Sequence, residues 1–314
     1  MMAIQIFTIS AILSYFSLIF SRNYFLKNKL VDKINERSSH DIVATRSGGI
    51  GIFIPAILLS TYYYIQGVDF YDFSILIPLI ILLLIGVYDD SNNADYKLKF
   101  IFQIIAAKII IDNGLIIDNL HGIFGIDSLE RIPAQILTIF IILSIINSVN
   151  FIDGIDGLAS SLILIFIILF EILSVGQSNF YFLSITIIAS LTVFIYFNLK
   201  KKRKIFLGDS GSLFLGGLAS IYILEILSSN YIIIEKFDVN KVFYVFSIFS
   251  YPIVDITRVV LLRIIKRKSP FMADKNHLHH LLLKRLKSHI KVLAVIIFVQ
   301  ITIFALIQFL LNGL

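Results

Sequence analysis

Residues 147–159 read Asn147-Ser148-Val149-Asn150-Phe151-Ile152-Asp153-Gly154-Ile155-Asp156-Gly157-Leu158-Ala159. This stretch places two amides, two carboxylates and two glycines between two long apolar runs, at 132–149 and 157–175. Each run is close to the length of about 20 apolar residues that a helix needs to cross a bilayer. We therefore predict that the stretch is a polar connection between two membrane spans.

Apolar runs separated by short polar connections make up most of the remaining chain. Of its 314 residues, 58% are hydrophobic, and the mean hydropathy is +0.90. A water-soluble core cannot bury so much apolar surface, so the composition predicts an all-α polytopic membrane protein. No linker is long enough to separate two domains, and residues 1–314 are interpreted as one integral-membrane domain. About ten transmembrane helices are expected, at residues 3–21, 48–66, 73–88, 98–117, 132–149, 157–175, 180–199, 211–228, 242–264 and 290–311.

Two further properties limit the class of protein. The chain contains no cysteine, which excludes a disulfide framework and a thiolate metal site. The first apolar run has no basic segment before it and no small-residue cleavage site after it, so we expect a retained helix and not a signal peptide. The fourth run differs from the others because it is interrupted by Lys108, Asp112 and Asn113.

The basic residues are distributed unevenly between the two sides of the predicted membrane topology. With both termini external, most of the 27 lysines and arginines lie in internal loops, whereas the external loops are mainly acidic. Positively charged loops mark the cytoplasmic side. A transporter would place polar groups near the bilayer midplane, so polar groups at span ends favour an active site at the membrane face. Four polar clusters share the predicted cytoplasmic side: Asp89-Asp90, the 147–159 stretch, Gly208–Ser212 and His277–His280.

Two of these clusters suit a metal or a phosphate. Asp89 and Asp90 are adjacent, and Mg²⁺ usually takes one or two carboxylates together with substrate phosphates. The alternative is a solvated loop that ends a helix. The Gly208–Ser212 segment precedes a span, so its free N–H groups offer a phosphate site. Asp209 would either hold a metal or act only as a helix N-cap.

The amide and carboxylates of the 147–159 stretch form a third group. Asn150, Asp153 and Asp156 are spaced three apart, so one helical turn would place all of them on one face. Gly154 and Gly157 would let a phosphate approach the backbone closely. The alternative is a helix contact made by small residues, in which the asparagine and the aspartates act as caps.

The histidine cluster has two interpretations as well. His277, His279 and His280 stand among lysines and arginines, which is typical of a solvated basic loop or of a pyrophosphate site. A zinc site is disfavoured because no thiolate or further histidine is spaced to complete it. The pyrophosphate interpretation fits imidazoles beside guanidinium groups.

Two other segments carry polar residues at or inside spans. Arg46–Gly51 could close over a nucleotide, or its glycines could serve close helix packing. Asp255 and Arg258 lie one turn apart inside the ninth predicted span, where ionisable residues are usually functional or mutually paired. We expect an internal ion pair that also orients the following loop.

The motifs, in this order and spacing, resemble the polyprenyl-phosphate N-acetylaminosugar-1-phosphate transferases, which form the MraY/WecA superfamily, or glycosyltransferase family 4. The resemblance covers about residues 36–283. The final motif, together with the early Glu36–His40 and Arg46–Gly49 segments, is similar to the WecA/WbpL-like branch. Four motifs carry the resemblance: Asp89-Asp90, Asn147–Leu158, Phe206–Leu213 and Ser269–His280.

The resemblance implies an enzyme of the bacterial inner membrane with its active site on the cytoplasmic face. Such an enzyme transfers an N-acetylhexosamine-1-phosphate, by default GlcNAc-1-phosphate, from a UDP-sugar to undecaprenyl phosphate and releases UMP. This reaction would begin O-antigen or another cell-surface polysaccharide. The expected cofactor is Mg²⁺, with Mn²⁺ as a substitute. The expected partners are the two substrates and membrane lipid, without nucleic acid, and a homodimer is compatible with the family.

By family correspondence, each candidate residue receives a role. Asp209 is the main Mg²⁺ ligand with Asn150 nearby, and Asp153 and Asp156 bind the nucleotide and its diphosphate. Asp89 and Asp90 contact the lipid phosphate side, where Lys99 neutralises the phosphate. The donor is further bound by His277, His279, His280, Arg46 and Arg258 or Arg263, while Phe206 stacks on uracil.

Alternatives to this prediction remain open on two levels. The sugar could be a 6-deoxy or epimeric N-acetylhexosamine, such as FucNAc, QuiNAc or GalNAc, and another class of protein would be a membrane lipid or sugar transporter. The mechanism is predicted to be direct attack by the lipid phosphate, because a phosphate monoester has a second pKa of about 6 and needs little general-base help at neutral pH. The alternative mechanism forms a covalent aspartyl-phosphate.

Overall fold

A computed structural model of the chain describes residues 1–31, 44–68, 73–126, 128–228, 231–234, 241–267 and 276–312. The Glu36–His40 segment and residues 269–275 of the last motif lie outside this part. Apart from two short 3₁₀ turns and two isolated bridges, the regular structure of the described residues is α-helical. The helices are α1 Met2–Lys27, α2 Gly48–Ile65, α3 Leu76–Asn92, α4 Tyr96–Asp112, α5 Arg131–Ile152, α6 Leu158–Ile172, α7 Tyr181–Leu199, α8 Gly208–Leu227, α9 Lys241–Ile248, α10 Ser250–Ile265, α11 Leu278–Leu286 and α12 His289–Asn312.

The prediction of an all-α polytopic membrane protein is confirmed, whereas the number of ten spans is not. Among the described residues, seven helical segments are long and apolar enough to cross a membrane, and an eighth is possible if α9 and α10 form one span bent by 83°. The apolar helix α6 has only 15 residues. Helix α4 has 17 residues and carries four charges, because the polar interruptions of the fourth predicted run lie inside it.

Helix α8 is the centre of the bundle. Within its apolar window, 94% of the residues are buried, which is the largest share among the candidate spans. A Cβ atom at Gly216 would lie 2.7 Å from the Cα of Ile146, and one at Gly217 would lie 2.3 Å from the Cδ1 of Leu82. Small residues let helix backbones approach closely in a membrane. Helices α3 and α5 therefore pack directly on α8 and bring their polar ends to its first turn.

The segment before α2 is tied to the segment before α8. The backbone N–H of Phe206 donates to the carbonyl of Thr45 at 2.8 Å, and Gly48 donates back to the carbonyl of Phe206 at 3.0 Å. Ser17 and Ser21 of α1 donate to carbonyls of the α2 N-terminal turn. Arg46 follows Thr45 and precedes Ser47 in the chain, so these contacts hold it beside the start of α8.

The break between α9 and α10 is stabilised by one side chain of α12. The amide oxygen of Gln300 accepts from the N–H of Tyr251 at 2.8 Å and from the Ser250 hydroxyl at 3.0 Å. Its amide nitrogen donates to the carbonyl of Ser247 at 3.0 Å. A bend in a membrane helix is tolerated where neighbouring side chains satisfy the freed backbone groups. Gln300 performs that role here and fixes the direction of α10.

Candidate active site

Asp90 caps the N-terminus of α8. Its two carboxylate oxygens accept from the backbone N–H groups of Asp209 and Ser210, each at 2.9 Å. The side chain is completely buried, and the Arg46 guanidinium lies 4.0 Å away. The sequence predicted that these N–H groups would receive a phosphate. The structure corrects this expectation, because a carboxylate from α3 already satisfies them.

Lys99 joins two other carboxylates beside this cap. Its Nζ atom lies 2.9 Å from the Oδ2 of Asp89 and 2.9 Å from the Oδ2 of Asp209. The lysine reaches this position because α4 begins at its N-cap Asp95, one turn earlier. Asp89, Lys99 and Asp209 thus connect three helices, and one cation is shared by two anions.

The polar stretch at the centre of the sequence is a turn and not a continuous helix. Helix α5 ends at Ile152 with Asp153 at its C-cap, and Gly157 takes a left-handed φ of +74° before α6. The predicted helical face of Asn150, Asp153 and Asp156 is therefore wrong, because the backbone changes direction after Ile152. Asn150 instead points to α8 and donates from Nδ2 to the Ser212 hydroxyl at 2.8 Å.

Asp153 lies in a region of excess negative charge. Burial raises its pKa well above the usual range, and the neighbouring carboxylates of Asp209, Asp90 and Asp156 raise it further. The arrangement gathers carboxylates from three separate elements around one point. An added cation would therefore be favourable at this position.

Asp156 is held differently, by two basic groups. Its Oδ2 atom lies 2.5 Å from the Nζ of Lys204 and 2.9 Å from the Nδ1 of His289. Burial opposes ionisation, but the hydrogen bonds from His289 and Lys204 outweigh it and hold the pKa of Asp156 below its usual value. Asp153 and Asp156, three residues apart, therefore have opposite shifts in pKa.

The histidine segment is anchored by Asp255. The carboxylate accepts from the Nδ1 of His277 and from the backbone N–H of Leu278, each at 2.8 Å. The predicted pair with Arg258 is present at 3.4 Å. Arg258 also donates to the carbonyl of Asn276. Asp255 thus fixes the start of α11 in addition to pairing with Arg258, as expected for a residue that orients this loop.

Phe151 connects the histidine segment to the polar turn. The ring of His277 lies 5.5 Å from the ring of Phe151, with 35° between the planes. The buried guanidinium of Arg263 lies 5.7 Å from the same phenyl ring. His277 and Arg263 are therefore close to the turn, but both are largely covered by protein.

His279 occupies the space beside Gly154. A Cβ atom at Gly154 would lie 2.6 Å from the Nε2 of His279, and the imidazole is completely buried. Burial, with a smaller contribution from the adjacent His280, lowers the pKa of His279 to about 3. The expectation that Gly154 lets a phosphate approach is corrected, because a neutral imidazole fills that space. His280 is half-buried, with its ring 4.2 Å from that of His279.

The glycines in the first turn of α2 serve helix packing. A Cβ atom at Gly49 would lie 2.3 Å from the backbone nitrogen of Gly211, and one at Gly51 would lie 2.3 Å from a side-chain atom of Leu18. Of the two interpretations of Arg46–Gly51, close packing therefore applies to these two glycines. Arg46 itself faces the cavity described next.

A cavity of about 210 Å³ opens between the polar turn and the start of α8. Phe206 forms one wall, and the Nζ of Lys204 lies 5.2 Å from the centre of its ring. Asn198 donates from Nδ2 to the carbonyl of Ile205 at 2.8 Å, while its buried Oδ1 has no hydrogen-bond partner among the described residues. The wall also contains Arg46, Asp153, Asp156 and Asp209.

Residues 73–227 match the family model described as glycosyl transferase family 4. A Bacillus subtilis relative named "Probable undecaprenyl-phosphate N-acetylglucosaminyl 1-phosphate transferase" is 31% identical over 270 residues, which cover 84% of this chain and 72% of the relative. The chain belongs to glycosyl transferase family 4.

Two other members have similar coverage. The undecaprenyl-phosphate alpha-N-acetylglucosaminyl 1-phosphate transferase of Haemophilus influenzae is 32% identical over 81% of this chain and 72% of its own length. The decaprenyl-phosphate N-acetylglucosaminephosphotransferase of Mycolicibacterium smegmatis is 30% identical over 89% of this chain and 75% of its own length. The resemblance that the motifs indicated is thereby confirmed.

Three residues of this family 4 site were missed by the sequence analysis. Lys204 was counted only as part of a positive loop, and its carboxylate partner could not be found from charge alone. His289 is a single histidine before the last apolar run, without a recognisable motif. Asn198 offered a weak signal, since it is an amide at the end of a span next to a polar connection.

The oxygen-rich side chains of the site fit Mg²⁺. No group of three or more histidines, aspartates or glutamates is arranged to hold a metal ion within the described part of the chain. Mg²⁺ does not require such a cage, because it usually keeps waters and takes one or two carboxylates plus substrate phosphates. Burial raises the pKa of Asp153, the neighbouring carboxylates raise it further, and a divalent cation would offset the repulsion from those carboxylates.

Proposed function

We propose that this chain transfers GlcNAc-1-phosphate from UDP-GlcNAc to undecaprenyl phosphate and releases UMP. The observation that carries the proposal is the convergence of Asp89, Lys99 and Asp209 at one end of a helical membrane bundle. The names of the relatives support the lipid acceptor and the sugar. The undecaprenyl-diphosphate sugar would be the first intermediate of O-antigen or another cell-surface polysaccharide.

The location proposed for the reaction is the cytoplasmic face of the bacterial inner membrane. Positively charged loops indicate which side is cytoplasmic, and the polar clusters follow spans that end on that side. One substrate is a soluble anion and the other is an anionic lipid, so a basic membrane face attracts both. The formal charge of +6 agrees with this requirement.

The cavity beside Phe206 is proposed to bind the nucleotide of the donor. The phenyl ring offers a face on which a pyrimidine base can stack. The unpaired Oδ1 of Asn198 is a buried acceptor, and such an atom is costly to leave without a donor. An imide N–H of uracil is a suitable donor. Arg46 and Asp156, in the same wall, would then contact the phosphates and the nucleoside.

Asp209 is proposed as the main ligand of Mg²⁺, with Asn150 nearby. Both side chains lie at the first turn of α8, and Asn150 is fixed there by Ser212. When bound, Mg²⁺ would stabilise the charge that develops on the phosphates. Mn²⁺ would suit the same oxygen ligands. This assignment keeps Asp90 as the residue that positions Asp209, because it binds the Asp209 backbone N–H.

The lipid phosphate is proposed to attack the β-phosphorus of the donor directly. Its second pKa is about 6, so it is mostly dianionic at neutral pH and needs no general base. The attack forms a phosphorus–oxygen bond to the lipid phosphate, and the bond between the β-phosphorus and the bridging oxygen breaks, so that UMP leaves with the bonding electrons. Lys99 would neutralise charge on the lipid phosphate by exchanging contacts with Asp89 and Asp209.

The proposed function is tested with purified protein, undecaprenyl phosphate and a panel of UDP-sugars. We expect Mg²⁺-dependent release of UMP with UDP-GlcNAc and formation of the lipid-linked sugar. The panel includes UDP-GalNAc and the 6-deoxy donors, because no described residue distinguishes the sugars. The absence of UMP release with every donor would reject the enzyme and favour a membrane transporter.

The direct mechanism has its own test. Labelled UMP is incubated with UDP-GlcNAc and enzyme in the absence of any polyprenyl phosphate. Direct attack predicts no exchange of label into the UDP-sugar. Exchange under these conditions would demonstrate a covalent sugar-phosphate enzyme and contradict the direct route.

A further inference from the structure

We propose that His289 is a positioning residue of the cavity, which fixes the carboxylate of Asp156 together with Lys204. This inference rests on the proposed function, since it concerns affinity for the nucleotide donor. His289 is the first residue of α12, a helix whose apolar window is otherwise only 22% buried. Its role is therefore distinct from the packing of the rest of its helix.

The contact geometry joins three elements at one carboxylate oxygen. The Oδ2 of Asp156 lies 2.9 Å from the Nδ1 of His289 and 2.5 Å from the Nζ of Lys204. Asp156 belongs to the turn between α5 and α6, Lys204 to the connection after α7, and His289 to α12. Two basic groups from separate elements thus restrict the position of one side chain in the cavity wall.

Burial makes these contacts stronger than surface pairs. The side chains of Lys204, Asp156 and His289 are 8%, 15% and 17% exposed. Ion pairs on an open surface contribute little because water and salt screen them, whereas partly buried pairs are screened much less. Removal of one partner would leave the carboxylate less restrained in a poorly solvated position.

His289 also contacts the backbone of the turn. Its Nδ1 lies 3.2 Å from the backbone nitrogen of Asp156, in addition to the carboxylate contact. One nitrogen accepts from the N–H when it lacks a proton and donates to the carboxylate when it carries one. The same ring atom therefore lies within hydrogen-bond distance of both the backbone and the carboxylate of Asp156.

The last two helices contact the turn at three successive points. His279 of α11 fills the space beside Gly154, and His289 of α12 binds Asp156. Leu293, one turn further along α12, would lie 3.4 Å from a Cβ atom at Gly157. The pair of helices α11 and α12 therefore packs along the turn that presents Asp153 and Asp156 to the cavity. His289 is the polar member of this contact.

The test compares KM and kcat of His289→Ala, His289→Asn and wild type. Loss of a hydrogen bond to a charged group weakens binding about tenfold. For His289→Ala we expect the KM for UDP-GlcNAc to rise about tenfold, with the KM for undecaprenyl phosphate and kcat within about twofold of wild type. His289→Asn keeps a polar atom near the position of Nδ1 and should restore most of the affinity.

Ile290→Ala is the matched control, because Ile290 is the next residue of α12 and its side chain is 63% exposed. Its KM and its kcat should match those of wild type. An unchanged donor KM in His289→Ala, or a fall in kcat alone, would overturn the inference. Equal loss of activity and thermal stability in the alanine and asparagine variants would also overturn it, since a merely structural role predicts that result.

A binding measurement separates this inference from the proposed reaction. Titration of the purified protein with UMP should show weaker binding for His289→Ala than for wild type and Ile290→Ala. If wild type binds UMP more tightly than His289→Ala does but does not turn over UDP-GlcNAc, the proposed function fails while the positioning role stands. If wild type turns over UDP-GlcNAc and all three proteins bind UMP equally, the positioning role alone fails.

Discussion

Neighbouring carboxylates in this site have different tasks because their surroundings differ. Asp90 is completely buried and bonded to two backbone N–H groups, whereas Asp89 shares Lys99 with Asp209. Asp153 is surrounded by other carboxylates, while Asp156 is paired with two bases. The environment therefore gives carboxylates of identical chemistry different roles. Asp90 caps a helix, Asp89 and Asp209 share a lysine, and Asp156 is a fixed part of the cavity wall.

Asp209→Asn is expected to remove most of the activity. The amide keeps the size of the side chain but loses the charge that would hold Mg²⁺ and pair with Lys99. Loss of metal stabilisation corresponds to several kcal/mol, or a fall in kcat of at least about 100-fold. UMP release measures the loss, and gel filtration in detergent checks folding. Near-normal turnover would contradict the metal assignment.

Asp90→Ala is expected to act mainly on stability. The substitution leaves the N–H groups of Asp209 and Ser210 without their acceptor, and loss of a helix cap costs about 1 kcal/mol. Thermal unfolding in detergent should therefore begin at a lower temperature. Asp89→Ala removes a carboxylate that caps no helix and is the matched control. An equal thermal shift in both variants would reject the cap.

The helices are positioned by close contacts of small residues and by polar side chains at their ends. Gly216 and Gly217 of α8 face different neighbours, since the first meets the backbone of Ile146 and the second meets the flexible end of Leu82. Helix α11 is fixed by Asp255 at its start and by His279 against Gly154. Each of these contacts brings the end of a helix to the cavity.

Gly216→Ala is expected to destabilise the bundle more than Gly217→Ala. The added methyl group at 216 would overlap the main chain of α5, which cannot move without shifting the whole helix. The methyl group at 217 would meet only leucine side chains, those of Leu82 and Leu79, whose flexible ends can move away. Overpacking of this kind costs about 1–3 kcal/mol. Thermal unfolding of the two variants provides the comparison, and an equal effect would contradict the backbone contact.

The histidine segment should make stability depend on pH. The pKa of His279 falls from 6.5 to about 3 in the folded protein, so the unfolded chain binds a proton below pH 6.5 before the folded chain does. The contribution of the neutral imidazole is therefore fully present above pH 6.5 and is lost as the pH falls toward 3. Unfolding of wild type and His279→Asn between pH 4 and 7 tests this sign. If the stability of wild type falls no more steeply with decreasing pH than that of His279→Asn, the predicted sign is wrong.

The chain is a multi-pass membrane protein in which the polar side chains of the candidate site collect at one end of the helical bundle. The carboxylate cluster, the cavity and the histidine segment are in mutual contact, although they come from residues between 46 and 289 of the sequence. The proposed site at one membrane face would allow a soluble donor and a lipid acceptor to meet without crossing the bilayer. The bundle thus serves as a scaffold for chemistry at its surface.

The proposed orientation can be tested by cysteine labelling, because the natural chain contains no cysteine. Lys201 lies in a connection proposed to be cytoplasmic, and Asp118 lies in one proposed to be external, and both residues are exposed. A membrane-impermeant maleimide should label Asp118→Cys in spheroplasts, whereas Lys201→Cys should react only after permeabilisation. The reverse pattern would place the site on the outer side.

The sequence alone determined the class of fold and the family, and it predicted most of the residues that the structure brings to the candidate site. Hydropathy specifies membrane helices because apolar runs of sufficient length have no other stable environment, and four motifs in a fixed order identify the family. The polar stretch 147–159 was correctly expected to join two apolar helices, but the second of them, α6, has only 15 residues and is not among the candidate spans of the described residues. The backbone path within the stretch was not predicted correctly, because the helical spacing of Asn150, Asp153 and Asp156 does not reveal that the helix ends at Ile152.

Only the tertiary structure decided which groups share a partner. Asp90 binds the N-terminus of α8 across 119 positions of sequence, and His289 reaches Asp156 across 133. Local spacing carries no information on such contacts, because they depend on how α3 packs on α8 and on how α12 approaches the turn after α5. For the same reason Gly154 appeared suited to a phosphate until His279 was found beside it. The residue types set the available chemistry, and helix packing determined how it was distributed.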